Sequence, residues 1–238
     1  MPSLILIPGL LCDRRLWAAQ IESLKSQAKI TVADITEQST VAEMAADVLA
    51  NAPEHFCLAG FSLGSQVALQ IMKLARDRVQ RLALLSATHG GLLPAAEAAI
   101  RHAVEMIEEG RFDQYLHDAY PSYFAAHGAG AAVLKNVFAT MAHAVGEEAG
   151  LRQMQALLAI RAPFTNLDRI DCSTVIIGGR ADHRTTPEAH RQLAAEIPGS
   201  KLLIIDGAAH FTPIEQPGKV SDALRDWMTD WLIPSPMQ

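Results

Sequence analysis

The chain reads as an α/β protein: a mostly parallel, six-stranded sheet with helices on both faces and a helical cap inserted into it. Two observations carry this. Short apolar runs fall at about 4–7, 30–34, 56–60, 81–86, 174–178 and 201–206, and helix-forming segments separate most of them. Strand, helix, strand is the signature of parallel pairing, because parallel neighbours need a long crossover. The second observation is an interruption. From Gly90 to Asp168 the β-branched runs stop and helical composition takes over.

The elements follow in order. Leu4-Ile5-Leu6-Ile7 is a continuous apolar run ended by Pro8-Gly9, as a buried strand would be. Val41 to Ala50 is predicted helical. His55-Phe56-Cys57-Leu58-Ala59 reads as a second buried strand, and Ser65 to Ala75 as a helix with apolar residues at 67, 68, 71 and 74. Within the interruption, Ile100, Val104 and Ile107 recur at helical spacing and Ala131 to Ala144 is alanine-rich. Thr174-Val175-Ile176-Ile177 and Lys201-Leu202-Leu203-Ile204-Ile205 are strands. Pro187 to Ile197 between them is a helix, with Pro at its start and Pro198-Gly199 closing it.

Gly60-Phe61-Ser62-Leu63-Gly64 fits G-x-S-x-G and lies between a strand and a helix. A turn that sharp strains the serine backbone, and flanking glycines remove side chains that would collide. It pushes the Ser62 hydroxyl out at a helix N-terminus, where N–H groups meet developing negative charge. An acid and then a histidine are expected after later strands. Asp182 follows the run at 174–178 and His210 the run at 201–206, both at the sheet edge where open α/β sheets build their sites. Taken singly, Asp182 also reads as a cap for the next helix and His210 as a surface histidine. Asp206 is the rival acid, but it shares His210's loop and has no strand of its own. The joint order Ser62, Asp182, His210 favours a nucleophile, an orienting acid and a general base.

On these motifs the chain resembles the α/β-hydrolase-fold superfamily over nearly its whole length. The family pattern at the acid matches Gly179-Arg180-Ala181-Asp182 with Pro187, one residue further on than usual. The pattern at the histidine matches Gly207-Ala208-Ala209-His210 and Glu215-Gln216-Pro217. The usual His-Gly of the oxyanion segment is Pro8-Gly9 here. The resemblance places the two oxyanion N–H groups on Leu10 and Leu63. It also implies that the family's N-terminal antiparallel hairpin is missing. It divides the chain into a core, 1–89 and 169–238, and a cap, 90–168.

The activity expected is hydrolysis of a small, largely apolar carboxylic ester through an acyl-enzyme, with no cofactor and no metal. C–C bond hydrolysis, lactone opening, thioester cleavage and cofactor-free lyase chemistry use the same triad, and a non-catalytic small-molecule receptor is the alternative of another class. A dehalogenase would want Asp at position 62. Seven of the thirteen aromatics, including Tyr115, Tyr120, Tyr123 and Phe164, fall in the cap with Met106, Met141 and Met154. Most are expected to be cap core. Together they imply an apolar pocket that selects weakly by size and rejects charged groups for want of partners. His89, His102, His117, His127 and His143 lack H-x-x-x-H spacing, which argues against a metal.

Composition bounds the rest. The 238 residues are half hydrophobic and 19% charged, with a formal charge of −6, so nucleic acid and anionic membrane are poor partners. Cys12, Cys57 and Cys172 read as reduced, mostly buried thiols of a cytoplasmic protein. Met1 to Leu11 lacks the basic start of a secretory signal, and no apolar run approaches the ~20 residues of a membrane span. Beyond a short Pro234-Ser235-Pro236 tail there is no low-complexity segment. Oligomeric state is left open.

Overall fold

A computed structural model describes residues 1–90, 92, 94–125, 129–160 and 162–229; His127 and the Pro234-Ser235-Pro236 tail lie outside these. The strands are β1 (Ser3–Ile7), β2 (Lys29–Val32), β3 (Phe56–Phe61), β4 (Val79–Leu85), β5 (Ser173–Gly179) and β6 (Lys201–Ile205). They form one sheet in the order β2-β1-β3-β4-β5-β6, every neighbouring pair parallel. The helices are α1 (Ala18–Leu24), α2 (Val41–Asn51), α3 (Leu63–Ala75), α4 (Pro94–Glu108), α5 (Phe112–Tyr123), α6 (Ala129–Val145), α7 (Glu147–Leu158), α8 (Pro187–Glu196), α9 (Thr212–Glu215) and α10 (Pro217–Thr229).

Alternation along each strand feeds two cores. Leu4, Leu6, Ala59, Phe61, Leu85 and Ile177 face one, which α1 and α10 complete with Leu24, Leu224 and Trp227. Ile5, Ile7, Leu58, Leu84 and Ile176 face the other, against Met44 of α2, Val67 and Ile71 of α3, and Leu193 of α8. Burial on both faces is why the central strands read as unbroken apolar runs: all six residues of β3 are buried. The starts of α2 and α8 are capped by threonine side chains. Thr40 accepts from the Glu43 N–H while Glu43 reaches back to the Ser39 N–H. Thr186 caps α8, with Pro187 at its first turn.

Strand order reverses around β1: β2 lies on one side of it and β3 on the other. The crevice at the C-terminal ends of β1 and β3 is therefore the topological switch point, where ligands bind in open α/β sheets. Register puts Ile7 beside Gly60, so Pro8 onward runs past the turn that carries Ser62.

Helices α4 to α7 lie between β4 and β5, and the first core continues into them through Ile100, Met106, Tyr115, Phe138, Met141 and Met154. The ends of this segment meet, the Phe164 N–H donating to the His89 carbonyl at 2.7 Å. Phe164 departs from the expected grouping of aromatics. It packs against the opposite core, on the α3 side of the sheet, because the chain has by then turned back under the site. Cys12 and Cys57 are buried, Cys172 partly so, and all three are free. Burial pushes the Cys57 thiol up to about 11. Among the described residues no helix is long and apolar enough to cross a membrane, and no cluster of His, Cys, Asp and Glu is arranged to hold a metal ion.

Candidate active site

Ser62 sits between β3 and α3 with φ 53° and ψ −113°, strained backbone for a residue with a side chain. The flanking glycines are required by space. A Cβ on Gly60 would lie 2.3 Å from the Gly64 carbonyl oxygen, and one on Gly64 would lie 2.3 Å from that of Ile7. The turn is also anchored to β4: the Ser62 N–H and the Ser65 hydroxyl both donate to the Leu85 carbonyl. Because Ser62 itself precedes the first helical turn, α3 begins at Leu63, two residues before the predicted start.

Three loops bring the predicted triad together. The Ser62 Oγ is 2.9 Å from His210 Nε2, and His210 Nδ1 is 2.8 Å from Asp182 Oδ2. Both partner side chains are buried, His210 at 4% and Asp182 at 0% exposure, so the pair is shielded from competing water. Asp182 is not the cap of α8; Thr186 is. Its Oδ1 accepts from the N–H groups of Arg184 and Thr185, and its Oδ2 also accepts from the Thr185 hydroxyl. Burial opposes ionisation of this carboxyl. The charge and hydrogen bond of His210, with the bonds from Thr185, outweigh it and hold the group well below the usual carboxylate range. Asp206 stays outside, exposed and paired with Arg180.

The two N–H groups assigned to an oxyanion hole are open. Leu10 and Leu63 both line the cleft at Ser62, and neither N–H has an acceptor among the described residues. Leu63 is the first residue of α3, so its donor is one the helix leaves unsatisfied. The segment carrying Leu10 is clamped from α7. The next residue, Leu11, is left-handed at φ 55°, and its N–H donates to Gln153 Oε1 at 2.8 Å. Gln153 is fully buried and holds the Ile35 carbonyl with its other end.

Residues 4–223 match the profile of the Alpha/beta hydrolase family. The chain belongs to that family. Hydrolase chemistry is the activity this membership supports. The chain is 25% identical over 237 residues to "Putative carbamate hydrolase RutD" of Escherichia coli K12, covering 91% of this chain and 87% of the relative. Among solved structures it resembles a thermophilic esterase from Thermogutta terrifontis, with TM-score 0.84, 22% identity, and coverage of 97% and 90% of the two chains. It also resembles the enol-lactonase from Burkholderia xenovorans LB400, with TM-score 0.86, 19% identity, and coverage of 96% and 91%.

In this alpha/beta hydrolase the cleft over Ser62 holds about 80 Å³. A larger groove of about 340 Å³ beside Asn166 has, among the described residues, no nucleophile paired with a base. Besides the core residues, the cleft is lined by Leu92, Ala96, Ile100, Tyr123, Leu157 and Ile160 from the helical segment. Of the seven aromatics in that segment only Tyr123 reaches it, and Met106, Met141 and Met154 are buried away from it. The expected lining without charge does not hold, because Arg184 also lines the cleft.

Several supporting residues, Glu215 of the histidine motif among them, had no role assigned from the sequence. Ser86, left-handed at φ 48°, donates its hydroxyl to the His210 carbonyl at 2.6 Å. Glu215 accepts from the Ala125 N–H at 2.7 Å and the Ala209 N–H at 2.9 Å, tying the end of α5 to the histidine loop. The His210 N–H adds a bond to the Tyr123 carbonyl. His190 is buried against Gly178, where a Cβ would lie 2.6 Å from its ring. A D-x-x-T pattern at Asp182 signals the Thr185 bond locally. Gln153, Ser86 and His190 act across the fold and leave no local signal.

Proposed function

We propose that this hydrolase cleaves small, largely apolar carboxylic esters through an acyl-enzyme on Ser62. The observation that carries the reading is the continuous path from Ser62 Oγ to His210 to Asp182, at 2.9 and 2.8 Å. Ser62 Oγ attacks the acyl carbon as its proton passes to His210 Nε2. Negative charge collects on the former carbonyl oxygen, facing the Leu10 and Leu63 N–H groups; a preorganised donor of this kind is worth about 3 kcal/mol in the transition state. The tetrahedral species collapses as the bond to the alcohol oxygen breaks, and that oxygen takes the proton from Nε2. Water then attacks the acyl-serine, giving its proton to Nε2, which returns it to Ser62 as the acid leaves. Asp182 keeps the ring oriented and stabilises its charged form throughout.

We read α4 to α7, within residues 90–168, as a cap over a core of 1–89 and 169–238. Its support is the share of the cleft lining that comes from this segment, and the bonds from Tyr123 and Ala125 to the histidine loop. The cap would then choose the substrate and the core would cut it.

The test is activity-based labelling joined to a substrate panel. A fluorophosphonate should add to Ser62, mapped by mass spectrometry, and Ser62→Ala should abolish both adduct and turnover. The names of the relatives extend the panel from esters to lactones and carbamates. Hydrolysis that survives Ser62→Ala, or labelling at a different serine, would overturn the reading.

A further inference from the structure

Among the described residues that line the cleft, Arg184 carries a fixed positive charge that the reaction on Ser62 does not use. Arg184 follows Asp182 on the acid loop and lies over the Tyr123 ring, with its guanidinium carbon 4.4 Å from the ring centroid. Tyr123 in turn packs 5.8 Å from the His210 ring, so the cation stands one ring away from the general base. Arg184 Nη1 donates to the Ser122 hydroxyl at 3.2 Å. It has no carboxylate partner among the described residues. Asp182 takes only the Arg184 backbone N–H and spends its other lone pairs on Thr185 and His210. A guanidinium offers five N–H donors, and among the described residues only the bond to Ser122 occupies one of them. Among the described residues no Asp or Glu lines the cleft to compete for them.

Such an arginine is half-buried, set over an aromatic face and bonded to Ser122, which lowers the cost of ordering it on a ligand. Its planar fork suits a carboxylate better than any neutral group. We propose that Arg184 recognises a carboxylate on the substrate, making the preferred substrates acidic esters or lactones, such as half-esters of dicarboxylic acids. The carboxylate sits on Arg184 while the ester carbonyl reaches Ser62, and the apolar lining from Leu92, Ile100 and Leu157 covers the carbons between. This rests on the Ser62 reading above and amends its substrate, which stays apolar in the middle but carries a charge at the end away from the ester.

The experiment compares pairs that differ by a carboxylate in place of a methyl group. Monoethyl succinate, glutarate and adipate are run against ethyl butyrate, valerate and hexanoate, with ethanol release measured. A second series puts the acid in the alcohol part, 3-acetoxypropionate against propyl acetate. The wild-type protein should favour the acidic member of at least one pair by about tenfold or more in kcat/KM, chiefly through KM, and 0.5 M salt should reduce the preference. Arg184→Gln should collapse the acidic-to-neutral ratio toward one, and Arg184→Lys should restore part of it. Equal rates within every pair, or a loss in Arg184→Gln shared equally by both members, would overturn the proposal and leave Arg184 as a clip between the acid loop and α5. Failure of the Ser62 reading looks different: neither member is hydrolysed and Ser62 takes no fluorophosphonate.

Discussion

At the scale of single residues, function depends on how few atoms are left to chance. Asp182 Oδ2 holds the histidine, and three further bonds hold Asp182. Asp182→Asn should keep the fold yet lower kcat by as much as ~10⁴, since an amide favours the wrong tautomer of His210. Asp206→Asn, at an exposed carboxylate paired with Arg180, should cost far less; the reverse ranking would dismiss Asp182 as the orienting acid. Gln153 is a positioning residue of another kind. Gln153→Met leaves the buried Leu11 N–H without an acceptor, at a cost of about 1–3 kcal/mol, and lets the neighbouring Leu10 donor drift. The expected signature is kcat lower by about tenfold with KM nearly unchanged, as for a weakened oxyanion donor. Steady-state kinetics on the folded variant would decide, and an unchanged kcat would reduce Gln153 to a structural pin. The meeting of Ser62, Asp182 and His210 was legible because each follows a strand in a short local motif. Gln153 was not, since its partner lies 142 residues away and glutamine in a helix has no pattern of its own.

At the scale of elements, the sequence distinguished strand from helix well and boundaries less well. β3 and β5 are buried on both faces, so their apolar runs are unbroken and their ends are marked by glycines packed against other backbone. The helical segment was legible as helical, but not which of its faces meets the site. Periodicity identifies an apolar stripe without saying whether it meets protein or ligand. The structure separates the two: Phe112 is buried against Tyr115 and His143, whereas Tyr123 lines the cleft. Phe112→Ala should therefore cost about 3–5 kcal/mol of stability, seen as a lower Tm, while relative kcat/KM among esters stays constant. Tyr123→Ala should shift that selectivity and leave Ser62 reactive toward a small fluorophosphonate. If the two variants changed selectivity alike, or if Tyr123→Ala slowed every substrate equally, α4 to α7 would be structural and not selective.

At the scale of the whole molecule, the sheet, α8 and the strand-end loops are joined by a histidine that does no chemistry. His190 is fully buried in α8. Its Nδ1 is 2.9 Å from the Thr186 carbonyl and its Nε2 accepts from the Ala87 N–H at 3.2 Å, one residue beyond Ser86. Both bonds together require the neutral ring with its proton on Nδ1; a second proton would break the bond to Ala87 and bury a charge. Burial accordingly lowers its pKa in the fold, whereas an unfolded histidine titrates near 6.5. Below that pH the unfolded chain takes up a proton that the native state refuses. Stability is therefore full above pH 6.5 and falls as the pH drops, by at most about 1.4 kcal/mol per unit for this group, until the native ring also protonates. Asp182 adds a second fall lower down, because its carboxyl is depressed in the fold and protonates first in the unfolded chain, below about pH 3.8. His190→Gln tests the upper window. Glutamine can donate to Thr186 and accept from Ala87 without titrating, so the variant should lose less Tm than wild type between pH 7.5 and 5. The other eight histidines are common to both proteins and cancel in the difference. Parallel Tm curves across that range would mean that His190 is already free to protonate in the native state, and the pin between α8 and β4 would have to be abandoned.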